Sequence, residues 1–370
     1  MAPFCGSNAV VMSSFVAADG SRRLAGVVRA AAQPWASARG SRRGVTLVEL
    51  LVVISILLVL TAVAVPMMQP SLEGRRTREA ARAIHVYFTS ARIRAMETGR
   101  PVGVMFERLP EQAEACRVLR QAEVPPPYAG DFANSRIVIG SPNLQAMSAT
   151  VSFSNGEDPV GLGLVRPGDL LRLNYQGHFW RIETISGGAW TFSSETAAFP
   201  PGFDSSVTML TLPFQIFRQP VPSAAAPMQL PAGAVVDLVA SGTDTAQPNL
   251  PPAGAADRTP VVVMFSPTGS VDRVYYGGLG FRVTEPIFLL VGKWGRMPLA
   301  VGGGASAEDG LLNWQDATNL WVALTPQTGL VTVAPLFADQ LDAGTNTYLP
   351  SSMFAARNYA RRAQVSMGGR

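Results

Sequence analysis

The longest run of apolar residues lies near the start of the chain, between Val45 and Val65. These 21 residues contain one charged side chain, that of Glu49. A helix rises about 1.5 Å per residue, so a run of this length spans the roughly 30 Å hydrocarbon core of a bilayer. The pattern predicts the transmembrane half of a helix over residues 45–66.

A second helical pattern follows Pro66, with apolar or small residues along one face only. That face holds Ala80, Ile84, Tyr87, Phe88, Ala91 and Ala95. The spacing is typical of an amphipathic helix, and Gly99 and Pro101 are suited to ending it. We therefore predict helix over residues 67–100, bent near Pro66 and Gly74, and about 80 Å long with the first half if the two are continuous.

The remainder of the chain alternates short apolar segments with Gly- and Pro-rich turns, which is typical of β-structure. The predicted strands are 101–107, 135–139, 150–153, 169–175, 179–185, 190–192, 207–212, 214–218, 234–240, 260–266, 271–276, 287–291, 320–324 and 330–334. Many strands after one long helix predict an α+β fold, because an antiparallel sheet is the natural cover for the apolar face of the helix. The β-rich headpiece is expected over residues 101–350.

Residues 108–213 are expected to be an insertion on this headpiece. They contain a compact hairpin pattern with the aromatic residues Phe179, Trp180 and Trp190. Alternation along a strand buries one face, so we expect these aromatic side chains in a core.

Charge is distributed unevenly along the chain. Residues 1–44 hold six arginines and one acidic residue, Asp19, whereas the formal charge of the whole chain is +4. A basic segment just before an apolar span fits the positive-inside rule better than it fits nucleic-acid binding. We expect residues 1–44 to be a cytoplasmic leader.

The residues that usually form active sites or metal sites are scarce. The chain has two cysteines, Cys5 and Cys116, and two histidines, His85 and His178, without ligand spacing among them. We expect Cys116 to be a thiol in a loop, and we expect no enzyme activity, no cofactor and no metal. Binding of a calcium ion by the loop at Asp339 and Asp342 is an open alternative, although oxygen ligands around these residues are few.

Glu49 needs a partner, because a carboxylate inside an apolar span costs roughly 2.5–3.5 kcal/mol on insertion scales. A cut between Gly44 and Val45 would create an α-amino group four residues before Glu49. The amine and the carboxylate can then neutralise each other within one chain or between staggered neighbours. A plain anchor with an accidental glutamate, or a secretory signal peptide cut after the apolar run, are the alternatives.

The run from Gly44 to Leu51 resembles the processing and methylation motif of type IV prepilins and type II secretion pseudopilins. The resemblance implies that a prepilin peptidase cuts after Gly44 and methylates Val45, that Glu49 is the assembly carboxylate, and that Pro66 kinks the helix. Phenylalanine is more usual than valine at position 45. The leader is long for this class, which makes Met12 an alternative start.

Later segments resemble the H-type minor pseudopilins and their type IV pilus relatives. These segments are 79–96, 230–236, 263–270 and 325–331. The resemblance implies a pilin-like lollipop fold, and a minor pseudopilin that is inserted in the inner membrane with its headpiece in the periplasm. It also implies three partners: the prepilin peptidase, other pilins or pseudopilins in a filament, and an inner-membrane assembly platform.

The basic end of the chain, residues 351–370, leaves a second function open. Arg357, Arg361 and Arg362 lie there beside one aromatic residue, Tyr359. A solvated tail is the simple interpretation. Contact with phosphates is the functional alternative, as in a type IV minor pilin that takes up DNA.

Overall fold

The structure is a computed structural model that describes residues 44–143, 147–194, 208–243, 250, 257–297, 310–342 and 347–368. Within these ranges, the side chains of residues 63, 65–72, 142, 347, 367 and 368 are outside the description. The first helix, α1, extends over Leu47–Thr98. The chain divides within it into two compact units, residues 1–59 and residues 60–370.

In the second unit, α1 buries the face that the sequence predicts. Ala80, Ile84, Phe88, Ala91 and Ala95 have no exposed surface. Small alanines let the helix approach the sheet closely, and Phe88 fills the space between them: its ring centroid lies 5.8 Å from that of Phe106 and 6.1 Å from that of Phe265. The helix ends before Gly99, whose φ of 64° lies in the left-handed region that favours glycine.

The sheet behind α1 has eleven strands in antiparallel pairs. In chain order its strands are β1 (Val102–Arg108), β2 (Ala115–Glu123), β10 (Val221–Pro222), β11 (Met228–Gln229), β12 (Ala234–Gly242), β13 (Val261–Phe265), β14 (Val271–Tyr276), β15 (Leu279–Phe281), β16 (Ile287–Lys293), β17 (Leu320–Thr325) and β18 (Leu330–Pro335). The main order across the sheet is β15-β14-β13-β1-β2-β12-β16-β17-β18, and β10 and β11 pair with β2. Buried side chains from its central strands and from α1 form one core.

Cys116 lies in this core, contrary to the expected loop. It is fully buried on β2, and burial raises the pKa of its thiol to about 12. A thiol with so high a pKa is almost entirely protonated at neutral pH and therefore a poor nucleophile. Cys116 is a packing residue.

The opposite face of the sheet carries a second helix, α2, over Met353–Gly368. Its buried alanines, Ala356 and Ala360, pack in a cluster with Phe288 and Trp321. The indole N–H of Trp321 donates to the carbonyl oxygen of Ala356 at 2.9 Å. The expectation of a solvated tail over residues 351–370 is therefore wrong. A hairpin of β19 (Gln340–Asp342) and β20 (Thr347–Leu349) precedes this helix.

A second sheet of seven strands closes on itself. Its strands are β3 (Ile137–Asn143), β4 (Ser148–Phe153), β5 (Leu170–Leu173), β6 (Trp180–Ser186), β7 (Ala189–Ser193), β8 (Met209–Leu212) and β9 (Phe214–Phe217). Their order is β8-β3-β4-β7-β6-β5-β9. Only Pro213 separates β8 from β9, so one bent stretch of chain pairs with β3 on one side and with β5 on the other. We call this closed sheet, residues 137–217, the barrel.

The barrel has its own core, which contains Trp180 and Trp190, as the sequence predicts. Phe179 departs from that prediction, because its side chain is 44% exposed and contacts Phe217 and Arg172. The predicted insertion, 108–213, also has wrong bounds. Its first part forms β2 in the middle of the eleven-stranded sheet, and the barrel continues to residue 217.

Excising the barrel along its true boundary is expected to leave the rest of the headpiece folded. Glu123 of β2 and Val221 of β10 are antiparallel partners, so a two-residue turn can join them in place of residues 124–220. We expect the variant without residues 124–220 to show one cooperative unfolding transition. Circular dichroism of this variant in detergent, with the rest of the chain intact, measures it. Deleting residues 108–213 instead removes β2 and is the matched control, which we expect to be unfolded. Equal loss of structure in both deletions would contradict a separable barrel.

Candidate processing and assembly site

The motif residues stand at the beginning of α1. Gly44, Val45 and Thr46 are outside regular structure, and the helix starts at Leu47. Thr46 caps it: the hydroxyl oxygen of Thr46 accepts a hydrogen bond from the backbone N–H of Glu49 at 3.2 Å. Threonine followed three residues later by glutamate is the sequence signature of a helix start. The bond that the predicted cut would break therefore lies just outside the helix.

Gly44 has open space around it. A Cβ atom built on Gly44 meets no atom of the described residues within 4 Å, its chain neighbours apart. In the part of the chain that the structure describes, no atom stands in the way of a larger residue at this position. A requirement for glycine would come from a partner that approaches the backbone closely.

Glu49 sits in the first turn of α1, where a carboxylate is favoured by the helix dipole. Its neighbours are exposed apolar side chains, including Val45 at 68% and Leu47 at 78%. Surfaces of this kind mark contacts with other proteins or with lipid. Among the helical residues that are described, no segment is both long and apolar enough to cross a membrane.

Pro66 lies within the bounds of α1, but its side chain is outside the described residues. The kink at Pro66 remains a prediction.

The three arginines predicted to contact phosphate occupy three different environments on α2. Arg357 is buried and donates to the carbonyl oxygens of Thr243 at 2.9 Å and Ala240 at 2.7 Å. Arg361 is partly buried, and its guanidinium lies 4.0 Å from the ring centroid of Phe354. Arg362 is exposed. The proposed role of Arg357 in phosphate contact is therefore wrong, because its donors face the protein interior.

Asp339, one of the two candidate calcium ligands, is held by protein partners. Asp339 accepts hydrogen bonds from the backbone N–H and the hydroxyl of Ser351, both at 2.7 Å. These bonds lower the pKa of Asp339 and hold the segment before α2. Within the described ranges, no group of three or more histidine, cysteine or acidic side chains is arranged to hold a metal ion.

A buried carboxylate that the sequence did not identify lies on β12. One oxygen of Asp237 accepts from the backbone N–H groups of Val239 at 3.1 Å and Ala240 at 3.0 Å, and the other accepts from the amide of Asn313 at 3.3 Å. Burial raises the pKa of Asp237 to about 6, and the charge of Glu114 adds to this shift. The pairing of β12 with β16 is irregular directly after Asp237, between Asp237 and Gly242.

Asp237 is expected to make the headpiece less stable as pH rises from about 4 to about 6. In this window the folded chain keeps a proton that the unfolded chain has lost, so the free energy of unfolding falls with rising pH, by on the order of 3 kcal/mol in total. Asp237→Asn is expected to remove this part of the pH dependence of the free energy of unfolding. Urea midpoints at pH 4.5 and 7, compared between the two chains, measure the difference. Identical slopes would contradict the assignment.

A groove of about 900 Å³ lies between the barrel and the eleven-stranded sheet. The two walls touch at Gly168, where a Cβ atom would come within 2.3 Å of the carbonyl oxygen of Gly278. Asp169 follows and accepts from the backbone N–H groups of Arg166 and Gln219. The groove depends on the barrel's position, so a sequence that gives strands but not their packing does not reveal it.

Comparison with known proteins gives one match. The family model described as the prokaryotic N-terminal methylation motif matches residues 39–65, which include Gly44, Val45 and Glu49. No curated protein and no solved structure matches the chain. The chain therefore carries the prokaryotic N-terminal methylation motif, consistent with a prepilin-type protein that is cleaved and methylated at its N-terminus.

Proposed function

We propose that this protein is a minor pseudopilin, a structural subunit of a type II secretion-like pseudopilus, with no catalytic role of its own. The observation that carries the proposal is the methylation motif at residues 39–65, which includes the apolar start of α1 and precedes a β-rich headpiece. In this proposal α1 anchors the subunit in the inner membrane and later forms the filament core. The headpiece lies in the periplasm, in the lollipop arrangement, and makes the partner contacts.

Processing at the motif is tested by intact mass and N-terminal sequence of the protein from cells with and without the prepilin peptidase. We expect a chain that begins with N-methyl-Val45 only where the peptidase is present. A chain that keeps residues 1–44 in both strains, or that is cut after the apolar run, contradicts the proposal.

Glu49→Ala is expected to separate processing from assembly. The carboxylate of Glu49 neutralises the new α-amino group of Val45 when subunits pack side by side, and its removal leaves that amine unpaired in an apolar setting. We expect cleavage after Gly44 to persist and recovery in sheared filaments to fall at least about tenfold, equivalent to 1.4 kcal/mol in subunit affinity. Ser55→Ala, on the same helix, is the control and should assemble normally.

Uptake of DNA by a type IV minor pilin is the alternative function. The environments of Arg357, Arg361 and Arg362 weaken it, because the positive charge of α2 is distributed between the interior and the surface. Its test is salt-sensitive DNA binding by the full chain in detergent. Loss of binding in the Arg361→Ala, Arg362→Ala double variant would favour this function, and absence of DNA affinity at low salt would exclude it.

A further inference from the structure

A small basic pocket lies on the second unit where α1 meets the headpiece. It has a volume of about 340 Å³. Its walls come from Glu73, Arg76 and Thr77 of α1, from the start of β12, and from the short 3-10 helix Trp294–Arg296 with Lys293 before it.

The pocket lies close to the end of the apolar run. Glu73 is eight residues after Val65 in the same helix, which is about 12 Å along its axis. In the proposed function, this distance places the pocket at the level of the phospholipid headgroups. The inference therefore rests on the membrane anchoring that we propose.

Positive charge exceeds negative charge around the pocket. Lys293 and Arg296 converge on one carboxylate, that of Asp316, with N–O distances of 3.0 Å each. Lys293 also lies 3.6 Å from Glu73. The pocket lining itself holds three cationic side chains, those of Arg76, Lys293 and Arg296, and one carboxylate, that of Glu73.

Two further features point to a membrane surface. Trp294 stands in the pocket wall with the guanidinium of Arg117 5.7 Å from its ring centroid, and tryptophan beside cationic side chains is typical of the interface between lipid and water. Residues 73–78 also hold three arginines against one glutamate. The positive-inside rule does not explain an excess of arginine on the translocated side.

We propose that this pocket binds the phosphate of an anionic phospholipid headgroup in the outer leaflet of the inner membrane. Arg76 and Lys293 supply charge and N–H donors to the phosphate oxygens, and Trp294 lies against the glycerol region. Asp316 holds Lys293 and Arg296 in place beneath the pocket. Such a contact fixes the headpiece against the bilayer before the subunit enters a filament.

The test uses the full processed chain in nanodiscs and measures its preference for spin-labelled phosphatidylglycerol over spin-labelled phosphatidylcholine by electron paramagnetic resonance. We expect preference for phosphatidylglycerol, reduced about fivefold in Arg76→Gln and further in Arg76→Glu, since a basic residue near an anionic surface contributes about 1 kcal/mol. The matched control is Arg82→Glu, the same charge change at an exposed site of α1 outside the pocket. Unchanged thermal unfolding of each variant excludes misfolding as the cause.

Each other outcome has a distinct meaning. No preference for phosphatidylglycerol, or an equal loss in Arg82→Glu, overturns the pocket as a headgroup site. Displacement of the labelled lipid by millimolar inorganic phosphate would identify free phosphate as the ligand and overturn the lipid assignment. Failure of the chain to insert into phosphatidylcholine nanodiscs would instead contradict the membrane anchoring of the proposed function.

Discussion

Gly44→Val is expected to leave the chain at full length, with residues 1–44 attached, in cells that contain an active prepilin peptidase. A Cβ atom built on Gly44 meets no atom within 4 Å among the residues that the structure describes, its chain neighbours apart. We therefore expect a valine there to leave the packing of residues 44–368, where described, unchanged. Its branched side chain does obstruct an enzyme that must bring its active site against the backbone between Gly44 and Val45.

The variant therefore separates recognition by the peptidase from folding. Intact mass of the membrane fraction measures the retained leader, and protease resistance of the headpiece measures the fold. Val45→Phe is the control, because phenylalanine is the usual residue at that position in the motif and should be cleaved as efficiently as the original. Normal cleavage of Gly44→Val would mean that the glycine does not define the cut and that the motif functions differently here.

Elements with strong periodicity were predictable from the sequence. The stripe that contains Ile84 and Phe88 is the buried face of α1, and each of the fourteen predicted strands overlaps a strand of the structure. The motif at Gly44, Val45 and Glu49 was equally accessible, because a lone carboxylate in an apolar run demands an explanation. Local pattern decides these features, since burial of one face needs only the spacing of apolar residues.

The missed elements lacked such a pattern. β2 contains Arg117 and Arg120 between its apolar residues, and Arg120 pairs with Glu107 on the neighbouring strand, so the strand resembles part of a polar insertion. α2 buries alanines in place of large apolar residues. Its arginines make the sequence resemble a basic, solvated tail. Alanine fits where a helix approaches a sheet closely, a property that becomes visible only when the sheet is known.

Closure of the barrel also required knowledge of strand pairing. The sequence predicts strands on both sides of Pro213 and a break between them. It does not tell which strand each side joins. The pairing of Ile137 with Leu212 and of Leu173 with Phe214 converts the break into a corner between the two ends of one sheet. A continuous ladder needs a backbone N–H at each paired position, and proline has none. Proline is tolerated at such a corner because the ladder is interrupted there.

Arg357→Ala is expected to lower the free energy of unfolding of the headpiece by about 2–4 kcal/mol. The guanidinium of Arg357 bonds to the carbonyl oxygens of Thr243 and Ala240, and its Cζ lies 5.5 Å from the ring centroids of both Phe288 and Trp321. Alanine leaves those buried carbonyls without this donor and opens a cavity between α2 and the sheet. Both effects destabilise the docking of the helix.

Arg362→Ala, five residues along the same helix, is the matched control and should change the free energy of unfolding by less than about 0.5 kcal/mol, because Arg362 is exposed. Urea unfolding of the full chain in detergent measures both variants. Arg357→Lys should fall between them, since a lysine ammonium carries the charge without the planar fork that reaches two carbonyls. Equal stability of Arg357→Ala and Arg362→Ala would mean that Arg357 does not anchor α2. Weaker DNA binding in Arg357→Ala alone would follow from loss of the helix, because the donors of Arg357 face away from any ligand in solution.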